Sequence, residues 1–176
     1  MSSLTAFWYT VPMIIRTDPI EAALHDDEHT LVVWSEKYAT GIELIDTQHK
    51  ELVKLTNELY HACLDGREAV QSVFKDALSR MVDYVRFHFT AELELLARIN
   101  YPEYAGHKKQ HDELVQKILD ASKMYDGGRK FIANKFVRTL RDWVFGHIAI
   151  FDKEYAAYVA EQKAKGLITD EQLSGP

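Results

Sequence analysis

Residues 88–111 read HFTAELELLARINYPEYAGHKKQH, and two spacings inside this stretch decide the fold. His88 and Glu92 stand four apart, and so do His107 and His111. An α-helix advances about 3.6 residues per turn, so each pair stacks on one helix face. Asn100-Tyr101-Pro102 lies between the pairs, and Pro102 suits the first turn of a new helix. The stretch therefore predicts two helices joined by a tight connection, each turning two metal-competent side chains the same way.

Working outward, the same period recurs on both sides. Ile45, His49, Leu52, Val53, Thr56, Leu59 and Tyr60 mark a helix from about Glu43 to Leu64, ended by Asp65-Gly66. Phe74, Leu78, Met81, Val85, His88, Leu95 and Leu96 mark a second from about Ala69 to Arg98. A third runs from about Glu103 to Tyr125 and stops at Asp126-Gly127-Gly128. The fourth, about Lys130 to Ala160, carries Phe136, Leu140, Trp143, Val144, His147, Ile148 and Phe151. No alternating run rich in Val, Ile and Thr suggests a strand. Short connections make consecutive helices antiparallel neighbours. The expected fold is all-α: an antiparallel up-down-up-down four-helix bundle over residues 34–160, with an N-terminal extension over 1–33 and a short polar C-terminal tail over 161–176. Within that tail, Thr169-Asp170-Glu171-Gln172 can cap one short turn.

Composition excludes several functions. The chain has 176 residues, a net charge of −6 and no basic stripe, which argues against nucleic acid as a partner. The single cysteine, Cys63, leaves neither a disulfide within the chain nor a thiolate cluster for a metal. The apolar stretch Leu4–Ile15 is short, is broken by Pro12 and has no Lys or Arg before it. It therefore reads as neither a membrane span nor a signal peptide, and a cytoplasmic protein is expected.

The chemistry lies in the histidines. His49 takes an apolar position between Ile45 and Val53, and His147 one between Val144 and Phe151. One such histidine is ordinarily a hydrogen-bonded core residue. His49, His88, His107, His111 and His147 together, with Glu92 and Asp152, are different. Buried carboxylates and imidazoles without partners are costly, and a pair of metal ions neutralises them. Asp152 is the outlier, because five residues from His147 is about 140° round an α-helix. Spacing alone does not prefer it to Asp142 or Glu154. Imidazole and carboxylate donors suit iron, zinc, manganese or copper, but seven exceed what one zinc takes. Two octahedral ions sharing carboxylates use them well. Ferritin-like di-iron sites draw on more carboxylates, which favour higher oxidation states. Five neutral imidazoles favour a ferrous resting state and reversible exchange with dioxygen.

These residues resemble the hemerythrins, in particular the bacterial ones, over about residues 33–159. The resemblance rests on Trp34, Tyr38, Gly41-Ile42, Ile45-Asp46-Thr47-Gln48-His49, Asp83-Tyr84, His88-Phe89-x-x-Glu92, Tyr101-Pro102, His107-x-x-x-His111 and Trp143-x-x-x-His147-Ile148-x-x-x-Asp152. It implies two oxo- or hydroxo-bridged iron ions. His107, His111 and His147 would hold a coordinatively filled iron, His49 and His88 an open one, and Glu92 and Asp152 would bridge them. Dioxygen would be the ligand, in a pocket that includes Ile45, Leu52, Tyr84, Phe89 and Val144. Of these, Tyr84 is the only possible hydrogen-bond donor, so the expectation is a dioxygen carrier for storage or delivery rather than an enzyme. The alternative is an oxygen or nitric oxide sensor or adaptor that reports the iron site to a protein partner. A di-iron enzyme such as a peroxidase is a third reading, and it needs an acid–base group near the open iron. A monomer or weak oligomer is expected, with an oxygen-requiring enzyme or a signalling protein as a possible partner. The chain departs from the family at Leu93 and Leu96, where Glu and Met are frequent. His25, His29 and His61 match nothing in the motif and read as surface or structural residues.

Overall fold

The computed structural model describes residues 30–64, 70–126 and 133–174. Helices α1 (Glu43–Leu64), α2 (Val70–Arg98), α3 (Tyr104–Asp126) and α4 (Ala133–His147) form the bundle. A π-helical turn over Ile148–Asp152 joins α4 to α5 (Lys153–Ala164), and α6 (Asp170–Leu173) ends the described chain. No strand occurs among the described residues. α1 packs against α2 and α4, and α2 packs against α3, the neighbour relations of an up-down-up-down bundle. No described helix is long and apolar enough to cross a membrane.

Local chemistry fixes the ends. Gly41, at φ +77°, turns the chain into α1. The Asp46 carboxylate accepts hydrogen bonds from the Thr40 and Gly41 amides at 2.6 and 3.0 Å, and the Thr40 hydroxyl accepts one from the Ile42 amide at 3.2 Å. Glu43 and Asp46 in the first turn also complement the helix dipole. α2 closes in a Schellman arrangement, with Tyr101 N–H to the Leu96 carbonyl and Asn100 N–H to the Ala97 carbonyl at 2.9 and 3.1 Å. Asn100, at φ 52°, supplies the left-handed residue there, a role asparagine tolerates. The breaks expected at Asp65-Gly66 and Gly127-Gly128, and the start of the fourth helix at Lys130, lie outside the described residues.

The apolar interior divides into two clusters. The larger holds Leu52, Leu59, Met81, Val85, Phe89, Leu114, Ile118, Val137, Leu140, Val144 and Ile148 among others. The smaller holds Ile42, Ile45, Leu95, Leu96, Ile99, Tyr101, Tyr155, Val159, Ile168 and Leu173. On α1 His49 falls between Ile45 of the smaller set and Leu52 of the larger, and on α2 Glu92 falls between Phe89 of the larger and Leu95 of the smaller. The site is thus a polar layer across the bundle.

The stretch after residue 160 is more than a polar tail. α5 runs on to Ala164, and Gly166, at φ +70°, closes it with a second Schellman pair. Ile168 and Leu173 then bury themselves in the smaller cluster. The capping box at Thr169 and Gln172 is present, and Arg98 donates to the carbonyls of Gln172 and Ser174 at 3.2 and 2.8 Å. Of the N-terminal extension, residues 30–33 are described. Leu31 is buried in the larger cluster, and the Asn57 side chain pairs with both the N–H and the carbonyl of Val32. His25, His29 and the acidic run at 26–28 lie outside the described residues.

Candidate metal centre

All seven candidate ligands are buried in one layer, each at most 4% exposed. α1 contributes His49, α2 His88 and Glu92, α3 His107 and His111, and α4 His147 with Asp152 beyond it. The two four-residue spacings act as the helix period requires.

Asp152 arrives by another route. The π turn between His147 and Asp152 follows an i→i+5 pattern and brings residues five apart onto one face. Asp152 Oδ1 consequently lies 3.2 Å from His147 Nε2. Asp142 and Glu154, its equals by α-helical spacing, are exposed.

Two groups of donor atoms emerge. Glu92, His107, His111 and His147 offer ligand atoms within 4.8 Å of one another, and so do His49, His88 and Glu92. Glu92 belongs to both: its Oε2 lies 3.1 Å from His111 Nε2, 3.3 Å from His107 Nε2 and 3.9 Å from His88 Nε2. Asp152 also spans them, with Oδ1 towards His147 and Oδ2 3.3 Å from His49 Nε2. Nε2 of His147 lies 2.9 Å from that of His111 and 3.3 Å from that of His107. Such crowding of basic nitrogens is poor hydrogen bonding but good coordination. With metal–nitrogen bonds of about 2.1 Å, neighbouring octahedral donors sit about 3 Å apart.

The unpaired atoms point the same way. His49 Nδ1 and Nε2, Glu92 Oε1, His111 Nδ1, His147 Nδ1, both Asp152 oxygens and the Tyr155 hydroxyl are buried without a hydrogen bond among the described residues. Buried polar atoms are normally satisfied, so a cluster of exceptions requires a cause, and cations supply one. The residues present fit a pair of metal ions.

The charge states agree. Burial pushes His88 down to about 3, so the ring is a neutral donor at ordinary pH. Burial also lowers His111, whereas the Glu92 hydrogen bond and the nearby carboxylates outweigh it and raise His107. Burial works against the charge on both carboxylates, but their histidine partners prevail. His107 and His111 hold Glu92 well below the usual range, and His147 and His49 bring Asp152 to about 2. Both acids are therefore ionised, as ligands must be.

Aromatic rings wall the layer. Phe89 stacks on His111 at 3.6 Å and 4°, and Trp143 on His147 at 4.6 Å and 11°. Trp34 is 6.3 Å from His49. Of the five expected pocket residues, Leu52, Phe89 and Val144 belong to the larger cluster, and Tyr84 is half-buried against it. Ile45 lies in the smaller cluster, across the polar layer from the other four. His61 is exposed.

Two residues escaped the sequence reading as parts of the site. Gln48 Oε1 accepts a hydrogen bond from His88 Nδ1 at 2.9 Å, a contact between helices that no spacing rule reveals. Tyr155 is fully buried with its ring against His107 at 5.6 Å, and the carboxylates of Glu92 and Asp152 add to burial in raising its hydroxyl well above the usual tyrosine value. Its three-residue step from Asp152 was the available signal.

Comparison with known proteins accords with this geometry. The sequence profile of the hemerythrin HHE cation binding domain matches residues 40–159. A bacteriohemerythrin of Methylococcus capsulatus is 30% identical over 126 residues, 71% of this chain and 94% of that protein. A hemerythrin-like protein of Naegleria gruberi is 30% identical over 122 residues, 69% of this chain and 88% of its own. A wild-type hemerythrin crystal structure superposes with a TM-score of 0.67 at 30% identity, covering 72% of this chain and 96% of the other. With a family profile spanning most of its length and a buried histidine–carboxylate layer of the matching kind, the chain belongs to the hemerythrin family.

Proposed function

We propose that this protein binds dioxygen reversibly at a non-heme di-iron centre and serves in oxygen storage or delivery. The observation that carries the reading is the sharing of carboxylates, with Glu92 within reach of both donor groups and Asp152 spanning them. His107, His111 and His147 would hold one iron, His49 and His88 the other, and Glu92 and Asp152 would lie between. Iron held there supplies reversible electron exchange with a small ligand.

The chain's own residues favour binding over turnover. The stacked rings of Phe89 and Trp143 cover two of the ligand imidazoles and exclude water from them. Leu52, Phe89 and Val144 are apolar and buried, which slows proton delivery to anything bound beside them. Tyr84, the one polar pocket residue, is only half-buried at the edge of the cluster and is a poor acid for turnover. The protein is accordingly read as a carrier rather than an enzyme.

Anaerobic titration of the ferrous protein with dioxygen, followed by removal of the gas, tests this. A visible charge-transfer band should appear and then reverse, and azide should alter the ferric spectrum. Irreversible bleaching on the first exposure would overturn the carrier reading, and one bound ion per chain, or zinc alone after iron reconstitution, would overturn the di-iron reading.

A further inference from the structure

We propose that Gln48 is a positioning residue that sets the tautomer and donor strength of His88, and through it the properties of the iron left open for dioxygen. The inference rests on the di-iron reading above and deepens it. Gln48 is 4% exposed, an uncommon depth for a glutamine, and its Oε1 lies 2.9 Å from His88 Nδ1 across the α1–α2 interface.

An amide oxygen only accepts, so His88 Nδ1 must donate. A neutral imidazole has one N–H, which leaves the Nε2 lone pair free. Glu92 Oε2, at 3.9 Å, is beyond hydrogen-bond range of that nitrogen and does not hold a proton on it. The opposite amide orientation would donate to Nδ1 and force the proton onto Nε2, which faces Glu92 and the other donors. Only the orientation present is compatible with ligation.

This bond gives His88 an acceptor at Nδ1. The Nδ1 atoms of His49, His111 and His147 are buried without a partner among the described residues. An N–H···O=C bond on the far nitrogen makes an imidazole a stronger donor. Gln48 therefore adds electron density to one iron and not the other. Because His49 is its neighbour in sequence, α1 reaches that iron twice, once directly and once through His88.

Glutamate at position 48 would accept more strongly than the amide, and leucine would not accept at all. The test compares wild type, Gln48→Glu and Gln48→Leu by two readouts. The first is the His88 tautomer in the metal-free protein, from 15N-resolved NMR. Wild type and Gln48→Glu should show Nδ1–H alone, and Gln48→Leu a mixture. The second is the midpoint potential and stoichiometry of the iron-loaded protein. The potential should rise from Gln48→Glu through wild type to Gln48→Leu. The leucine variant should also bind one of its two irons roughly 10–100-fold more weakly.

Should Gln48→Leu fail to fold, the comparison of Gln48→Glu with wild type still decides. A wild type that loads iron, with variants that match it in tautomer and potential, would overturn the role of Gln48 alone. A wild type that takes up no iron would overturn the di-iron reading itself, and with it this inference.

Discussion

Replacing His111 with alanine separates its packing from its role as a ligand. The ring is 1% exposed, lies flat on Phe89 at 3.6 Å, and directs Nε2 at Glu92 from 3.1 Å. Without metal, truncation costs about 2–4 kcal/mol in lost packing. It also removes a buried, unpaired Nδ1, which returns about 1–3 kcal/mol. The expected net loss is about 1 kcal/mol, a shift of roughly 2–4 °C in Tm for a chain of this size. Iron changes the arithmetic. At a free concentration 1,000-fold above its Kd, a bound ligand stabilises the native state by about 4.1 kcal/mol. Losing one ligand of the Glu92-His107-His111-His147 group should abolish most of that. The iron-loaded variant should then melt roughly 10–20 °C below loaded wild type. The assay is far-ultraviolet circular dichroism against temperature, anaerobic, with and without ferrous iron. Leu78→Ala in the larger cluster is the control, and its loss should be the same in both conditions. If His111→Ala also lowers Tm equally with and without iron, the residue is packing alone and the reasoning fails.

Acid should destabilise the metal-free protein from about pH 6.5 downward. His88 is near 3 when folded and takes up a proton more readily when unfolded, so its contribution is complete above the unfolded value and is lost as pH falls towards 3. Urea titrations at several pH values should show a slope of up to about 1.4 kcal/mol per pH unit from such a group, and a His88→Leu variant as steep as wild type would refute it. Arg98→Ala should release the Gln172 and Ser174 carbonyls and speed proteolytic cleavage after α5, with little change in Tm; unchanged cleavage would mean that burial of Ile168 and Leu173 suffices. Val144→Ala removes a buried branched side chain one turn before His147 and should cost roughly 1–3 kcal/mol. It should also speed autoxidation of the oxygenated form beyond Leu78→Ala in stopped-flow decay, and equal rates would make Val144 a packing residue.

The bundle was legible because its signals are local. Periodicity located α1 over Glu43–Leu64, and the four-residue pairs brought His88, Glu92, His107 and His111 into the layer. Asp152 was legible only through family resemblance. The α-helical rule turns it 140° from His147, and nothing in Ile148-Ala149-Ile150-Phe151 announces the π turn that corrects this. Gln48 was hidden for another reason, since its partner is on the next helix and the bond depends on how α1 and α2 pack. Ile45 shows what a helical stripe leaves open. It shares a helical stripe with His49 and Leu52, but a stripe runs along the bundle and passes through the polar layer. Ile45 therefore emerges on the far side of that layer from Leu52. Helical spacing reports the face a residue takes, not the side of the site on which it lies.

That division of the core has a consequence for the metal-free protein. The smaller cluster is built from the first turn of α1, the last turns of α2, and the chain from Tyr155 to Leu173. It meets the larger cluster through a layer in which eight polar atoms lack hydrogen bonds among the described residues. Each unpaired buried group costs about 1–3 kcal/mol, and the loss is recovered if that end opens and water enters. Regions with costly or sparse contacts open below the global unfolding free energy. Metal-free protein should therefore exchange backbone amides near Leu95–Tyr101 and Tyr155–Leu173 faster than those near Met81, Val85 and Leu140. Loading with iron satisfies the layer and should slow exchange at that end by a larger factor than elsewhere. Mass-spectrometric hydrogen exchange on both forms measures this directly. Equal protection of the two ends without metal would show that the polar layer costs too little to divide the core.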